Sequence, residues 1–240
     1  MNKLSYLLLF LGITVSTFGQ KSEIPLIGEK APSFHANTTN GEINFPEDFG
    51  KSWKILFSHP RDFTPVCSSE ILALATMQNE FKDLNVKIAI VSTDNIMQHQ
   101  SWKQSIEEIE VQGKKVGKII FPFIDDESSA ISRKYGMLHD PVSTTKDVRG
   151  VFIIDPDNVI QSINFYPMNI GRNMVEIERI VVALQNSKSN QVLMPANWKV
   201  GDDVLMPFKP FENSELANNP KLAEQYYNIG DYMWYKKMIE

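Results

Sequence analysis

The chain has 240 residues, a formal net charge of −5, 42% hydrophobic and 22% charged residues, and one cysteine. That length and apolar content suffice for one well-buried core and a small second unit. The mild acidity excludes a polyanion, whether nucleic acid or an anionic membrane, as the natural partner, and a lone cysteine excludes an internal disulfide within this sequence.

Lys3 precedes an apolar run over 4–15, followed by the small residues Thr17 and Gly19. This predicts a secretory signal peptide over 1–19, cut before Gln20, and export to a periplasm or the exterior; the run is too short to span a bilayer. No cysteine lies near the cut, which excludes a lipoprotein. Phe34, Ala36, Ile43 and Phe45 flank Asn40-Gly41, a hairpin signal whose two turn positions are expected at positive φ. Residues 55–58 read as a buried strand. A helix is predicted over 65–83, with Cys67, Ile71, Leu74, Met77, Phe81 and Leu84 on one stripe. A β-branched strand over 86–91 comes next, then a helix over 95–109 with Asp94 as its cap. After the short apolar run 119–121, a helix over 127–135 ends at Gly136. Strand 150–154 turns through Asp155-Pro156-Asp157-Asn158 into a hairpin partner over 159–165. A helix over 174–184 precedes a polar stretch, 186–191, read as a linker. The remainder is rich in proline and aromatic residues with little regular pattern. Its four tyrosines, two tryptophans and two phenylalanines after residue 197 argue for burial rather than disorder. Strands alternating with helices, together with hairpins, indicate an α/β domain with a mixed sheet. The expected layout is a signal peptide (1–19), an α/β domain (24–186) and a C-terminal extension (191–240).

The chemistry concentrates between Phe57 and Glu70. Thr64 followed by Pro65 is a helix start: a hydroxyl able to cap, then a proline at the first helical position. Cys67 falls in the first turn, where unpaired amides and the positive end of the helix dipole favour a thiolate. The arrangement Pro60-x-x-x-Thr64-x-x-Cys67 resembles the active-site motif of the peroxiredoxins, and the longer string from His59 to Glu70 resembles their one-cysteine subgroup. The resemblance covers roughly residues 25–210. It implies a thioredoxin-like fold and a thiol-dependent peroxidase in which Cys67 attacks hydrogen peroxide or an organic hydroperoxide and becomes a sulfenic acid. It also implies that Arg149 contacts thiolate and peroxide, that Arg172 is a second arginine of the site, that Thr64 orients the peroxide, and that His59 tunes the thiolate. Pro60 and Pro65 remove donors and stiffen the loop. Met194-Pro195-Ala196-Asn197-Trp198 and Gly201-Asp202 resemble the subgroup's C-terminal extension, which implies a homodimer.

With no second cysteine, the sulfenic acid requires an external thiol such as glutathione or a thioredoxin-like protein. No histidine pair, carboxylate pair or cysteine pair shows metal-ligand spacing, so neither metal nor cofactor is expected; His35, His99 and His139 read as structural. Arg61 is expected to be exposed. Two rival readings have specific tests. Gly50-Lys51-Ser52-Trp53-Lys54 resembles an esterase motif, but its last glycine is a lysine, Pro46 stands where the partner histidine would fall, and only Asp157 matches; a serine without a base is not activated. A non-catalytic chaperone or binding module on the same scaffold would survive Cys67→Ser.

Overall fold

The computed structural model describes residues 24–111 and 113–238; the expected signal peptide lies outside them. The elements in chain order are β1 (Phe34–Thr38), β2 (Gly41–Phe45), β3 (Trp53–Ser58), α1 (Pro65–Thr76), α2 (Gln78–Asp83), β4 (Val86–Ser92), α3 (Ile96–Glu107), the short hairpin β5 (Glu110–Val111) and β6 (Lys114–Lys115), β7 (Phe123–Asp125), α4 (Ala130–Lys134), β8 (Arg149–Ile154), β9 (Ile160–Tyr166), α5 (Met174–Asn190), β10 (Val204–Leu205), α6 (Asn213–Asn218), α7 (Pro220–Gln225), β11 (Tyr226–Ile229) and β12 (Met233–Lys236). A seven-stranded mixed sheet runs in the order β2-β1-β7-β4-β3-β8-β9. β3 is parallel to β4 on one side and antiparallel to β8 on the other.

β3 is buried along its whole length because helices and loops cover both faces of the sheet. The two-residue period then sorts its side chains. Trp53, Ile55 and Phe57 meet Cys67, Ile71, Leu74, Trp102 and Ile177 on one face, while Leu56 meets Phe45, Tyr135 and Phe152 on the other. α1 therefore lies flat on the sheet with its N-terminus at the carboxyl end of β3, and the cysteine is delivered to that edge.

Several expected boundaries move. The first hairpin pairs Thr38 with Gly41, so Thr39-Asn40 form the loop and Gly41, not Asn40, takes positive φ, at 101°. The helix expected over 65–83 breaks at Met77, whose amide is shared between the carbonyls of Ala73 and Leu74, 3.2 Å from each. The apolar stripe runs through the break, which is why periodicity did not reveal it. α3 is capped by Asn95, which accepts from the Gln98 amide at 3.0 Å, rather than by Asp94. The short apolar run 119–121 leads into β7, the third parallel strand.

The expected linker is also corrected: α5 continues to Asn190, so 186–190 are helical. Val182 and Ala183 of this helix pack against Val192, Trp198 and Val204, and that contact prolongs a sequence that looks polar in isolation. The extension has more order than its composition suggested. β10, β12 and β11 form a small antiparallel sheet, and Trp198 and Trp234 are buried.

Candidate active site

The loop between β3 and α1 makes a tight reversal. Phe63, at φ 55°, occupies the left-handed region, a strained position for a bulky residue, and its ring is exposed. Thr64 is extended at the helix boundary, but its hydroxyl makes no cap; it donates instead to the Arg61 carbonyl at 2.9 Å. The Thr64 proton is thereby committed, and the oxygen lone pairs are left to accept. Pro65 occupies the first turn, as expected. The first backward bond of the helix runs from the Ser68 amide to the Thr64 carbonyl at 2.9 Å, so the amides of Val66 and Cys67 lie ahead of it. Cys67 is 1% exposed.

Arg149, first residue of β8, reaches the sulfur. Its Nη1 stands 3.3 Å from Cys67 Sγ and 2.7 Å from Glu70 Oε2. Its Nε donates to the Met168 carbonyl at 2.9 Å, and its Nη2 donates to the same oxygen, so the loop after β9 fixes the guanidinium plane. Arg172 holds the other side of Glu70: its Nε donates to Oε1 at 2.9 Å and its Nη2 to Oε2 at 2.8 Å. Its Nη1 is spent on the carbonyls of Ser58, at 2.9 Å, and Gly150, at 2.7 Å. Burial alone would push the Glu70 carboxyl up, but hydrogen bonds and charge from Arg172, with the charge of Arg149, hold it below its ordinary value. Two buried guanidinium groups and one carboxylate leave a single positive charge, and Arg149 presents it to the sulfur.

Residues 27–163 match the AhpC/TSA family. A peroxiredoxin of Methanosarcina mazei is 50% identical over 185 residues, which are 77% of this chain and 84% of that protein. A peroxiredoxin of Thermotoga petrophila is 39% identical over 91% of this chain and all 100% of its own length. The chain belongs to the peroxiredoxin family. Among solved structures, a yeast mitochondrial 1-Cys peroxiredoxin superposes with a TM-score of 0.74 at 37% identity, covering 89% of this chain and 100% of that one. A cysteine-to-serine mutant of peroxiredoxin 6 from Arenicola marina gives a TM-score of 0.77 at 30% identity, covering 90% of this chain and 99% of that one. With its single cysteine, this peroxiredoxin is of the one-cysteine kind, its fold is thioredoxin-like, and it is a thiol-dependent peroxidase.

Of the site residues expected from sequence, the structure gathers Pro60, Thr64 and Cys67 on the β3–α1 loop and helix start, with Arg149 on the sulfur. Arg172 is buried as well, but its polar contacts go to Glu70 and two carbonyls, so it supports the site from behind. Arg61 is exposed, as expected. Glu70 was not singled out by sequence reasoning. The available signal was an acid three residues after the cysteine, which puts both on one helical face.

His59 differs most from expectation. Its Nε2 meets Asp62 Oδ1 at 2.7 Å, and Asp62 Oδ2 meets His99 Nδ1 at 2.8 Å. Two histidines that show no metal-ligand spacing in sequence meet in three dimensions: His59 and His99 share one carboxylate, although 40 positions separate them. Asp94 joins by accepting from the Asp62 amide at 2.7 Å. His59, Asp62 and Asp94 bring ligand atoms within 4.8 Å of one another. Donors nevertheless occupy these carboxylates: the two imidazoles on Asp62, and the Asp62 amide, Ser92 and Lys146 on Asp94. The arrangement suits protons better than a cation. In the esterase-like stretch, Ser52 donates to Asn85 Oδ1 at 2.8 Å, and Asp157 is held by Lys51 and Lys188. Neither side chain engages a base there.

Proposed function

We propose that this peroxiredoxin reduces hydrogen peroxide and organic hydroperoxides at Cys67, is regenerated by an external thiol, and serves antioxidant defence and redox homeostasis outside the cytoplasm as a homodimer. The observation that carries the reading is Arg149 Nη1 at 3.3 Å from the sulfur, bearing the one uncompensated charge of the Arg149–Glu70–Arg172 cluster. A thiolate formed there completes an ion pair in a water-poor site, where such pairing is strong. The thiolate attacks the terminal peroxide oxygen. The S–O bond forms as the O–O bond breaks, leaving a Cys67 sulfenic acid and an alkoxide or hydroxide that takes up a proton. Arg149 and the helix-start amides face the oxygens on which charge develops. The Thr64 oxygen, its own proton given to Arg61, accepts from the peroxide.

The sulfenic acid then needs a thiol from another molecule, since Cys67 is the sole cysteine of the sequence. Glutathione or a thioredoxin-like protein has the required chemistry; the yeast relative above is described as resolved through glutathione and thioredoxin systems. Support for a dimer comes from β9, a half-buried strand at the edge of the sheet, and from Phe208 and Tyr232 on the extension, which are 65% and 82% exposed. Export rests on the pattern of residues 1–19, and cell fractionation with N-terminal sequencing checks it.

The deciding experiment mixes the reduced protein with hydrogen peroxide, follows peroxide loss, and weighs Cys67. Rapid loss with one added oxygen, absent in Cys67→Ser, is the expected result; a rate no faster than an ordinary free thiol overturns the reading. Adding glutathione or a thioredoxin system in turn identifies which thiol restores turnover.

A further inference from the structure

The central sheet has a notch beside the first half of β4. The amides of Trp53 and His59 donate to the carbonyls of Asn85 and Val91, at 3.0 and 3.1 Å, so the odd-numbered residues of this stretch turn their backbone groups toward β3. Val86, Ile88 and Ile90 therefore turn theirs the other way, toward β7. Ile90 is met there: its amide donates to the Pro122 carbonyl at 3.0 Å. The register pairs Ile90 with Phe123, so the donor for the Ile88 carbonyl falls at Pro122, and a proline has none. Among the described residues no hydrogen bond reaches the amide or carbonyl of Val86 or Ile88, although these residues are only 6% and 5% exposed.

The run 119–121 would close the notch if it extended β7 backwards, but side chains hold its backbone elsewhere. The Ile119 amide donates to Glu107 Oε1 at 2.9 Å and the Ile120 amide to Gln78 Oε1 at 3.0 Å. The Ile120 carbonyl accepts from Asn40 Nδ2 at 2.9 Å, and the Phe121 carbonyl accepts from Lys103 Nζ at 3.2 Å. A cavity of about 400 Å³ opens on the unpaired edge, within the usual span of ligand sites, about 300–1,000 Å³. Ile43 and Phe49 wall it on the side of one core, Phe81 and Phe121 on the side of the other. Lys82, Lys87 and Asp48 are its exposed charged residues, two cations against one carboxylate, and Asp48 already accepts from the Asn44 amide at 2.6 Å.

We propose that the notch binds an extended apolar peptide with an acidic residue at one end, added to the sheet as a short strand along 86–88. A peptide repeats its N–H and C=O groups at the strand period, so it can pair the amides and carbonyls that β4 leaves open. A fatty acyl chain fills the same space but shuts those groups away from water unpaired, which is costly. Apolar walls on both sides call for apolar residues at successive positions of the peptide rather than at alternate ones. Its acidic end meets Lys82 and Lys87. Cys67 lies at the carboxyl end of β3 and the notch at the amino end of β4, which runs parallel to β3, so the two sites occupy opposite ends of the strands. Binding at the notch is thus independent of the peroxidase reading.

Amide hydrogen exchange, followed by nitrogen-15 NMR on the reduced protein, tests this with the blocked peptide acetyl-Val-Ile-Val-Asp-amide. Saturable binding should slow exchange of the Val86 and Ile88 amides by roughly tenfold or more. No protection at millimolar peptide overturns the proposal. The same peptide with its backbone amides methylated keeps the apolar surface and the charge but cannot donate, and it should not bind. Equal binding of the methylated form, or protection by octanoate and not by the peptide, overturns strand addition in favour of a plain apolar site. Lys82→Glu should weaken the peptide by about twofold to fivefold, the scale of an exposed ion pair; unchanged affinity overturns the assignment of the acidic end.

Discussion

At the scale of single residues, the site is a charge balance around one sulfur. Arg149 supplies the cation nearest Cys67, while Arg172 and Glu70 hold it in place. Arg149→Ala should lower the second-order rate with hydrogen peroxide by roughly 10²–10³-fold, as loss of a preorganised charge-stabilising donor does elsewhere. Arg172 still pairs with Glu70 in that variant, so the protein should remain folded by circular dichroism; wild-type rates in Arg149→Ala would show that the guanidinium does not serve the chemistry. Glu70→Gln has a different effect. It leaves two buried guanidinium groups facing each other without an anion, and loss of one partner from a buried ion pair costs about 3–5 kcal/mol. Urea unfolding should register that loss. The Glu70 carboxyl lies below its ordinary value near 4.5 in the fold, so its contribution is complete above that pH and disappears as pH falls through the folded value. Acid unfolding of Glu70→Gln should be correspondingly less steep.

At the scale of elements, the approach of β3 to β8 sets the geometry. Ser58, last residue of β3, donates to the Val148 carbonyl at 2.6 Å and accepts from the Gly150 amide at 2.8 Å, pinning the start of β8 and with it Arg149. A Cβ on Gly150 would stand 2.9 Å from Ser58 Oγ and 3.1 Å from the Phe165 ring. Gly150→Ala should therefore cost about 1–3 kcal/mol, as overpacked cores do, and should also slow peroxide consumption because Arg149 shifts. A variant with unchanged denaturation midpoint and unchanged rate would mean that this strand start is not pinned as described. The elements were legible in sequence wherever periodicity and burial agree, as in β3, β4, β8 and the first turns of α1 and α5. They were not legible where tertiary packing decides: α5 runs on beside Val192 and Trp198, and α1 stops at Met77 without a breaker in the sequence.

At the scale of the molecule, buried acids shape the response to pH. Asp147 is fully buried with no donor on either oxygen, since the nearby Ser132 hydroxyl gives its proton to Asp126 at 2.6 Å. Burial, reinforced by the charge of Asp126, pushes the Asp147 carboxyl up to about 8. An acid raised in the fold stabilises most below its ordinary value of 3.8 and loses that contribution as pH rises through about 8. His59 acts in the opposite sense: held below 6.5 by burial, it destabilises the fold as pH drops under 6.5 and the unfolded chain takes up the proton first. Thermal melts should therefore decline from about pH 6.5 to about pH 8, as Asp147 ionises, whereas just below pH 6.5 the two contributions oppose each other. Asp147→Asn should flatten the alkaline arm and melt higher than wild type above pH 8, whereas parallel curves would remove Asp147 as the cause. If the proposed assembly holds, sedimentation will give twice the chain mass, and a monomer at micromolar concentration would refute it.

The sequence by itself determined the helix-start setting of Cys67 and the α/β class with a mixed sheet, while its resemblance to the peroxiredoxins pointed to Cys67 as nucleophile and to Arg149 as the cation. The first two depend on local spacing, and such signals survive in one dimension. Only the tertiary structure decided that Glu70 joins two arginines, that His59 turns toward Asp62 and His99 and away from a purely local role, and that the tail folds into a sheet instead of trailing from a linker. The Asp62–His99 and Glu70–arginine contacts join residues from 37 to 102 positions apart, made because strands brought side by side must satisfy every buried charge they carry. No periodicity records which partner will be there.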